Sequence, residues 1–507
     1  MEYFEFHVKV EGGEVSVSRD GGPPIRGEVD FDNDPLRQRT LRMFNRWLEA
    51  QKFQSREDLA LVGTYLYRVL FSQKNVHEAF GKAFAIVNER KQSGLEVALR
   101  VVLEFAGDAA ELAALPWEYL YFPPKAEGGT GAGFFIAGDS MLILSRHVPQ
   151  NPLIKCQPQE TELRILVLVS KPNYEMLDSG ELPKTKRPAP LGSVESDRVI
   201  GVLRDLEKRS AGRVRLEIEA ADVSKERVAA LVREIRPHVV HFMGHGKFEA
   251  GAGAQEGKGA LAFIRREQSY EAVEQRVKGR EAAWVDDAAF ADCFRDYRPR
   301  LIFLQACQGA RSDSYEAFSG VAMKLVQESV PAVIAMRYPV SNSMAEMFAA
   351  TFYAQLASGC AIDQAVQLGR LQLGTGTDEE KNFSSPEFGS PVAFFQGGGQ
   401  QKSFDEILAP GRIPSSSPPP PVAAQQIVRC PYADCLNPVN PQRRFCQKCK
   451  RPISPCPNCQ QLMAVDTGFC DNCGWRPDTG AAAAPSAAPG ATAPAPPAAT
   501  SVPASGR

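Results

Sequence analysis

Between residues 160 and 400 the chain alternates short apolar runs with stretches whose apolar positions recur at helical spacing. Leu163–Val169 (LRILVLV) and Val214–Glu219 (VRLEIE) read as strands. Between them Val199, Val202, Leu203 and Leu206 mark one face of a helix. Val228, Leu231, Val232 and Ile235 mark the next helix, which stops at Pro237. The strand HVVHFM follows, then a long polar excursion, a short helix begun by Asp286 and Asp287, and the strand LIFLQAC. A helix over GVAMKLVQES leads to the strand Ala332–Met336. An amphipathic helix with Met344, Met347, Phe348, Phe352 and Leu356 facing inward comes next, and Val392–Phe395 reads as the last strand. Strands alternating with helices predict an α/β fold, a mostly parallel sheet covered by helices on both faces. In such sheets functional groups gather where strands end at their carboxyl edge.

Residues 1–155 follow a different pattern and read as an α+β region whose later part packs with the domain after it. Phe4, Phe6, Val8 and Val10 alternate, Gly12-Gly13 turns, and Val15 and Val17 continue, a hairpin signal. After helical stretches, LEVALRVVLEF alternates at Leu95, Val97, Leu99, Val101, Leu103 and Phe105, which predicts a half-buried strand. LPWEYLYF and SMLILSRHV close the region. The α/β pattern then spans residues 156–400. Residues 401–427 form a Pro/Ser-rich linker, 428–476 a cysteine-rich module, and 477–507 an Ala/Pro-rich tail with too little apolar bulk to fold.

Composition narrows the classes. A length of 507 residues accommodates two or three domains. With 58 basic and 60 acidic side chains, the net charge of -2 offers no field that would attract nucleic acid or a membrane. The acidic, alternating start MEYFEFHVKVEGGE does not read as a secretory or transit signal, and no apolar run reaches the roughly 18 residues of a membrane span. A cytoplasmic chain is expected. Of twelve cysteines, eight crowd between Cys430 and Cys473, and in that compartment such crowding reads as metal binding. Cys156, Cys293 and Cys360 show no partner pattern.

Two of the strands end in chemistry. HVVHFMGHG finishes in the glycine-flanked His245, and LIFLQACQGARS stops being apolar at Gln305, Ala306 and Cys307. A thiol with a pKa of about 8.5 is only partly ionised at neutral pH, so a nucleophilic cysteine needs a base within reach. An imidazole supplies it, taking the thiol proton and later protonating the leaving amine. Gly244 and Gly246 would let the backbone turn sharply beside a substrate, and the N–H groups of Gly246 and Cys307 could face a developing oxyanion. Taken singly, Cys307 reads first as an ordinary small buried residue and His245 as a satisfied loop histidine. The string Gln305-Ala306-Cys307-Gln308-Gly309 shifts the balance, because it fits the caspase signature whose histidine lies about fifty residues upstream. Here the separation is sixty-two. His241, four residues before His245, reads as a packed core histidine, and Trp117 as core.

From about residue 95 to 396 the chain resembles the CHAT domain, the caspase-related cysteine peptidase family that is also similar to separase. LPWEYLY resembles the Leu-Pro-Trp-Glu element ahead of the peptidase core, VVHFMGHG the histidine strand, and LQACQGA the cysteine strand. The block from Ser319 to Val366 resembles the family's downstream region. The resemblance implies a caspase-like sheet and an endopeptidase using His245 and Cys307, with no catalytic cofactor. It implies limited proteolysis of one partner protein, in bacterial antiviral defence or regulated cell death, with a gasdermin-like pore former as candidate substrate. Many relatives carry an aspartate where this chain has Asn342, and in Arg-cutting relatives an acid from that segment lines the pocket for the P1 residue. A neutral amide does not balance a guanidinium, so an uncharged P1 residue is expected here. A non-hydrolytic scaffold that binds through its cysteine-rich module is the alternative.

That module holds two sets of four cysteines. Cys430, Cys435, Cys446 and Cys449 form the first, and Cys456, Cys459, Cys470 and Cys473 the second, with FCQKC and FCDNC repeated. Each set suits a tetrahedral four-cysteine zinc site with no open position, and the repeat resembles a double zinc ribbon. Two structural zinc ions are expected. Seven basic and three acidic side chains between Val428 and Arg476 are balanced by eight thiolates on two zinc ions, so a protein partner such as an activator suits the ribbon better than nucleic acid. The excursion from Glu249 to Gly259 and the segment Arg311 to Ser319 are candidate self-processing sites.

Overall fold

The computed structural model describes residues 1–31, 35–50, 52–53, 55–123, 133–149, 161–178, 186–249, 258–306, 313–328, 330–338, 340–375, 383–397, 431–432, 445–446, 449–456 and 462–464. An eleven-stranded sheet runs through the first of two compact units, Met1–Ser415. Its spatial order is Val214–Glu219, Leu163–Val169, Val239–Gly244, Leu301–Ala306, Ala332–Met336, Pro391–Gly397, Leu142–Pro149, Val97–Phe105, Glu2–Glu11, Glu14–Arg19 and Ile25–Glu28. The first five strands are mutually parallel. So are the four from Pro391–Gly397 to Glu2–Glu11, and the antiparallel pair Ala332–Met336 with Pro391–Gly397 joins the two blocks. Antiparallel pairings add the last two strands at the edge.

Leu163–Val169, Val239–Gly244 and Ala332–Met336 are buried on both faces. Ile165, Val167 and Val169 feed one core, with Val199, Leu203 and Leu206 of helix Asp197–Arg209 and Phe348 and Phe352 of helix Asn342–Ala357. Leu166 and Leu168 feed the other, with Val228, Leu231 and Val232 of helix Lys225–Ile235 and Val321 and Leu325 of helix Asp313–Gln327. Parallel strands covered twice are apolar at nearly every position, and in LRILVLV only the half-buried Arg164 departs from this. Helix Lys225–Ile235 ends where Arg236 enters the left-handed region at φ 49°, ahead of Pro237. Asp286 caps helix Asp287–Asp292 by accepting from Ala289 N at 2.7 Å.

Two expectations need correction. The strand Val97–Phe105 is buried on both faces from Val97 to Leu103, because it lies between Glu2–Glu11 and Leu142–Pro149 and is covered twice. Its polar position Arg100 survives there through the Asp363 carboxylate, 2.6 Å away. The polar excursion after His245 contains structure too: Gly246–Glu249, Lys258–Ile264 and Ala282–Asp286 form a separate antiparallel sheet. A further hairpin pairs Tyr174–Asp178 with Lys186–Pro190. Most of the excursion, the start of the Arg311 to Ser319 segment, the 401–427 linker, the 477–507 tail and Cys156 lie outside the described residues, while the rest of that segment is the first part of helix Asp313–Gln327. Among the described residues no helix is long and apolar enough to cross a membrane.

The second unit, Ser416–Arg507, contains the hairpin Ile453–Pro455 with Leu462–Ala464. The buried cluster described in it has only Tyr432, Cys446, Ile453 and Ala464.

Candidate active site

Val239–Gly244 and Leu301–Ala306 lie side by side near the middle of the first parallel block, and their ladder runs from Val239 opposite Leu301 to Gly244 opposite Ala306. The next residue of one chain segment is His245 and of the other Cys307. Cys307 itself lies outside the described residues. The strand register thus brings the two ends level at the carboxyl edge, which sixty-two residues of sequence separation conceal.

His245 is 4% exposed, and its Nε2 sits 2.9 Å from the carbonyl oxygen of Gly192. A carbonyl only accepts, so Nε2 carries the ring proton and Nδ1 holds the lone pair. Burial pushes the imidazole pKa down, while the Gly192 carbonyl and the Glu175 carboxylate push it back, and the balance is a lowered value. The ring is therefore neutral near pH 7, as a base must be. The His245 carbonyl accepts from Ala262 N at 2.9 Å, which locks the backbone into the small antiparallel sheet. Gly192 gave no signal in the sequence, since every residue offers a carbonyl and only the fold selects one.

The flanking glycines act differently from expectation. Neither Gly244 nor Gly246 is among the residues with positive φ, so neither is needed for a left-handed turn. A Cβ on Gly244 would instead lie 2.8 Å from the Phe242 ring and 3.4 Å from Ser170 Cβ. Gly244 keeps the strand end thin. Gly246 pairs with Leu261 at the start of the next strand.

His241 is a core residue. It is fully buried and stacks on Phe303 with ring centroids 4.3 Å apart. Tyr353 OH lies 3.1 Å from Nδ1, and Nε2 lies 3.0 Å from Gln305 Oε1. Because an amide oxygen accepts, Nε2 carries the proton here as well, and the histidine holds Gln305 two residues ahead of Cys307. Burial lowers the His241 pKa to about 3. The unfolded value is near 6.5, so between these values the unfolded chain binds the extra proton and stability falls as pH drops. His241→Gln should remove about 2 kcal/mol of the stability difference between pH 7 and pH 5. Urea unfolding at the two pH values measures it, and an unchanged difference would refute the assignment.

Gln305 also lines a cleft with Asn342, Ala345, Val199, Glu195, Asp197 and Arg198. Asn342 opens helix Asn342–Ala357, whose cap is the Ser341 hydroxyl, accepting from Met344 N. Arg198 is tied to Glu346 at 3.3 Å. Sequence reasoning found Asn342 but missed Gln305 as a lining residue, although the string containing it was the strongest signal. Of the remaining thiols, Cys293 is buried and its pKa is pushed up to about 12, which leaves it inert.

In the second unit, Cys446 and Cys456 are buried and Cys449 is partly so. Lys450 N donates to Cys446 O at 2.9 Å, and Lys450 takes φ 61°. Buried cysteine side chains in this unit fit a structural zinc, whose binding supplies folding energy. Cys430, Cys435, Cys459, Cys470 and Cys473 lie outside the described residues.

The comparisons agree with this anatomy. The family model described as CHAT domain matches residues 62–395, and that described as Double zinc ribbon matches residues 430–474. Solved structures with similarity include two of the Saccharomyces cerevisiae separase-securin complex. One, at 2.6 Å, has 11% identity and a TM-score of 0.27, covering 59% of this chain and 16% of that one. The other, at 3.0 Å, has 11% identity and a TM-score of 0.37, covering 78% and 30%. The chain therefore spans less than a third of the length of either. No curated protein matches it significantly. A family model that runs from the N-terminal helices through both central strands to the closing strand leaves one conclusion: the chain belongs to the CHAT domain family and carries a double zinc ribbon.

Proposed function

We propose that this chain is a cysteine endopeptidase in which His245 is the base and Cys307 the nucleophile. Membership of the CHAT family suggests a caspase-like cysteine protease. The observation that carries the residue roles is the anchoring of His245 Nε2 on Gly192 O at the end of the strand paired with Leu301–Ala306. Nδ1 takes the Cys307 proton, the thiolate attacks the scissile carbonyl, and backbone N–H groups at Gly246 and Cys307 hold the oxyanion. The protonated ring then delivers that proton to the leaving amine. Cys307 is acylated in the process, and water releases the second product.

The cleft beside Gln305 receives the P1 side chain, with Asn342 contributing an amide, and an uncharged P1 residue is the preferred substrate. The Asp197 side chain is 92% exposed, where screening blunts its charge. Residues 156–400 form the peptidase, 1–155 extend it, and the zinc ribbon of residues 428–476, tethered by 401–427, docks a protein partner. Eight cysteines hold two structural zinc ions, and catalysis needs no cofactor. The substrate is a partner protein cut at one site in the cytoplasm, with a gasdermin-like pore former in bacterial defence as the candidate.

Purified wild type and Cys307→Ala, each mixed with proteins encoded beside this gene, test the reading on a gel. One neighbour cut at a single site by wild type alone is the expected result, and sequencing the new end gives P1. A charged P1 residue would overturn the role of Asn342. Zinc removal is a separate test. A strong chelator should release two zinc ions per chain and unfold the ribbon, worth about 10 kcal/mol or more per site, while Met1–Ser415 keeps its melting transition. Release of no zinc would refute the ribbon assignment.

A further inference from the structure

The region around His245 contains a buried acid to which neither the sequence nor the proposed mechanism gives a role. Glu175 is 3% exposed on strand Tyr174–Asp178, which pairs with Lys186–Pro190 so that Glu175 lies opposite Ala189. The second strand of this hairpin leads directly to Gly192, the residue that anchors His245. On the other side, Trp284 Nε1 donates to Glu175 Oε2 at 3.0 Å. Trp284 lies opposite Ala262, and Ala262 N donates to the His245 carbonyl. One hairpin therefore contributes both the carbonyl that fixes the ring and a carboxyl held by the sheet that fixes the backbone. Burying a carboxyl is costly unless something nearby gains from its charge.

We propose that Glu175 is a positioning residue for the His245–Cys307 pair, its carboxyl stabilising the imidazolium formed when Nδ1 takes the thiol proton. The inference rests on the peptidase reading above. A negative charge in a low-dielectric surround favours a cation beside it far more than it would in water. Glu175 raises the pKa of His245 against the effect of burial, which is the direction required. Two further charged groups lie around the hairpin. Lys247 places its ammonium 4.9 Å from the Trp284 ring centroid. Glu281, bridged to Tyr174, is engaged by Arg265 at 3.0 Å and by Ser269.

The consequence is a shift in the equilibrium between the neutral pair and the thiolate–imidazolium pair. Alkylation by iodoacetamide reads this without any substrate: an S–C bond forms, iodide leaves, and the thiol proton goes to Nδ1 at pH 7 or to solvent at pH 10. The rate at Cys307, followed on its own peptide by mass spectrometry in the full-length chain, is taken as a ratio of pH 7 to pH 10. At pH 10 the thiol is ionised in every variant, so the ratio isolates the ion pair.

Wild type should exceed His245→Ala in this ratio. Glu175→Gln, which keeps shape and an acceptor for Trp284, should lower it by about tenfold, the size of one pKa unit. Glu175→Asp keeps the charge and should restore at least half of the loss, which a purely structural role would not. An unchanged ratio in Glu175→Gln, or an equal fall in Glu175→Asp, would overturn the proposal and leave the dyad standing. A wild-type ratio equal to that of His245→Ala would remove the dyad, and this proposal with it.

Discussion

His245→Ala is expected to slow covalent labelling of Cys307 by a peptidyl electrophile about thirtyfold at pH 7, the ratio of a fully ionised thiol to one of pKa about 8.5. The argument starts from protonation. The ring is neutral because burial lowers its pKa, and its tautomer is set because Gly192 O accepts from Nε2. Nδ1 is thus a base with its lone pair available, at the end of a strand level with the one that leads into Cys307. Without it, a thiol of ordinary pKa is a few per cent ionised at neutral pH and has no donor for the leaving group. Raising the pH should rescue labelling of the variant but not peptide cleavage, because alkali supplies the thiolate and not the acid. A loss below tenfold, or rescue of cleavage by alkali, would remove His245 from the mechanism.

The second large effect concerns stability. Glu118→Ala is expected to destabilise the Met1–Ser415 unit by about 3–5 kcal/mol, the cost of stripping one partner from a buried ion pair. Glu118 is 1% exposed and lies in the short turn Trp117–Tyr119. Arg146 meets it in bidentate fashion, Nε to Oε1 at 2.9 Å and Nη2 to Oε2 at 2.5 Å. Arg370, fully buried, approaches Oε1 at 3.9 Å and donates to the carbonyls of Pro391 and Leu144. Burial alone would raise the Glu118 pKa, yet Arg146, Arg370 and Arg337 together hold it below the usual carboxylate range. Removing the acid leaves two guanidinium groups buried together with no counter-charge between them. Total stabilities are commonly 5–15 kcal/mol, so the loss is a large share. Glu118→Gln should cost less, since an amide still accepts from Arg146. The urea midpoint of Glu118→Ala measures the effect, and a wild-type value would refute the hub.

Glu118 also shows how far the sequence could be read. LPWEYLY was recognisable as a string, and Trp117 as core, and the structure buries Trp117 with its Nε1 donating to Leu112 O. That the glutamate joins strand Leu142–Pro149, helix Ile362–Thr375 and strand Pro391–Gly397 was not readable, because its partners lie 28 and 252 positions away. The strands of residues 163–169 and 332–336 were legible to the residue because a doubly covered strand is a nearly unbroken apolar run, and the edge strand 214–219 because its apolar and polar positions alternate. The small sheet after His245 was not, because its strands are short and the polar residues between them masked the run Leu261–Ile264. The half-buried reading of Val97–Phe105 failed because alternation cannot report that Arg100 finds a buried Asp363.

Local pattern therefore determined the main strands and helices of the α/β region, the mostly parallel class of its sheet, the two terminal residues His245 and Cys307 as a candidate pair, and the cysteine phrasing of the ribbon. These depend on residue type and short spacing, which a chain carries wherever it folds. Tertiary structure alone decided that Gly192 O accepts from the His245 ring, that Glu175 is buried against Trp284, that His241 holds Gln305, and that Glu118 meets Arg146 and Arg370. Each of these is a contact between groups distant in sequence. Hydrogen bonds and charges act over a few ångströms of space, and only the assembled sheet brings such groups that close.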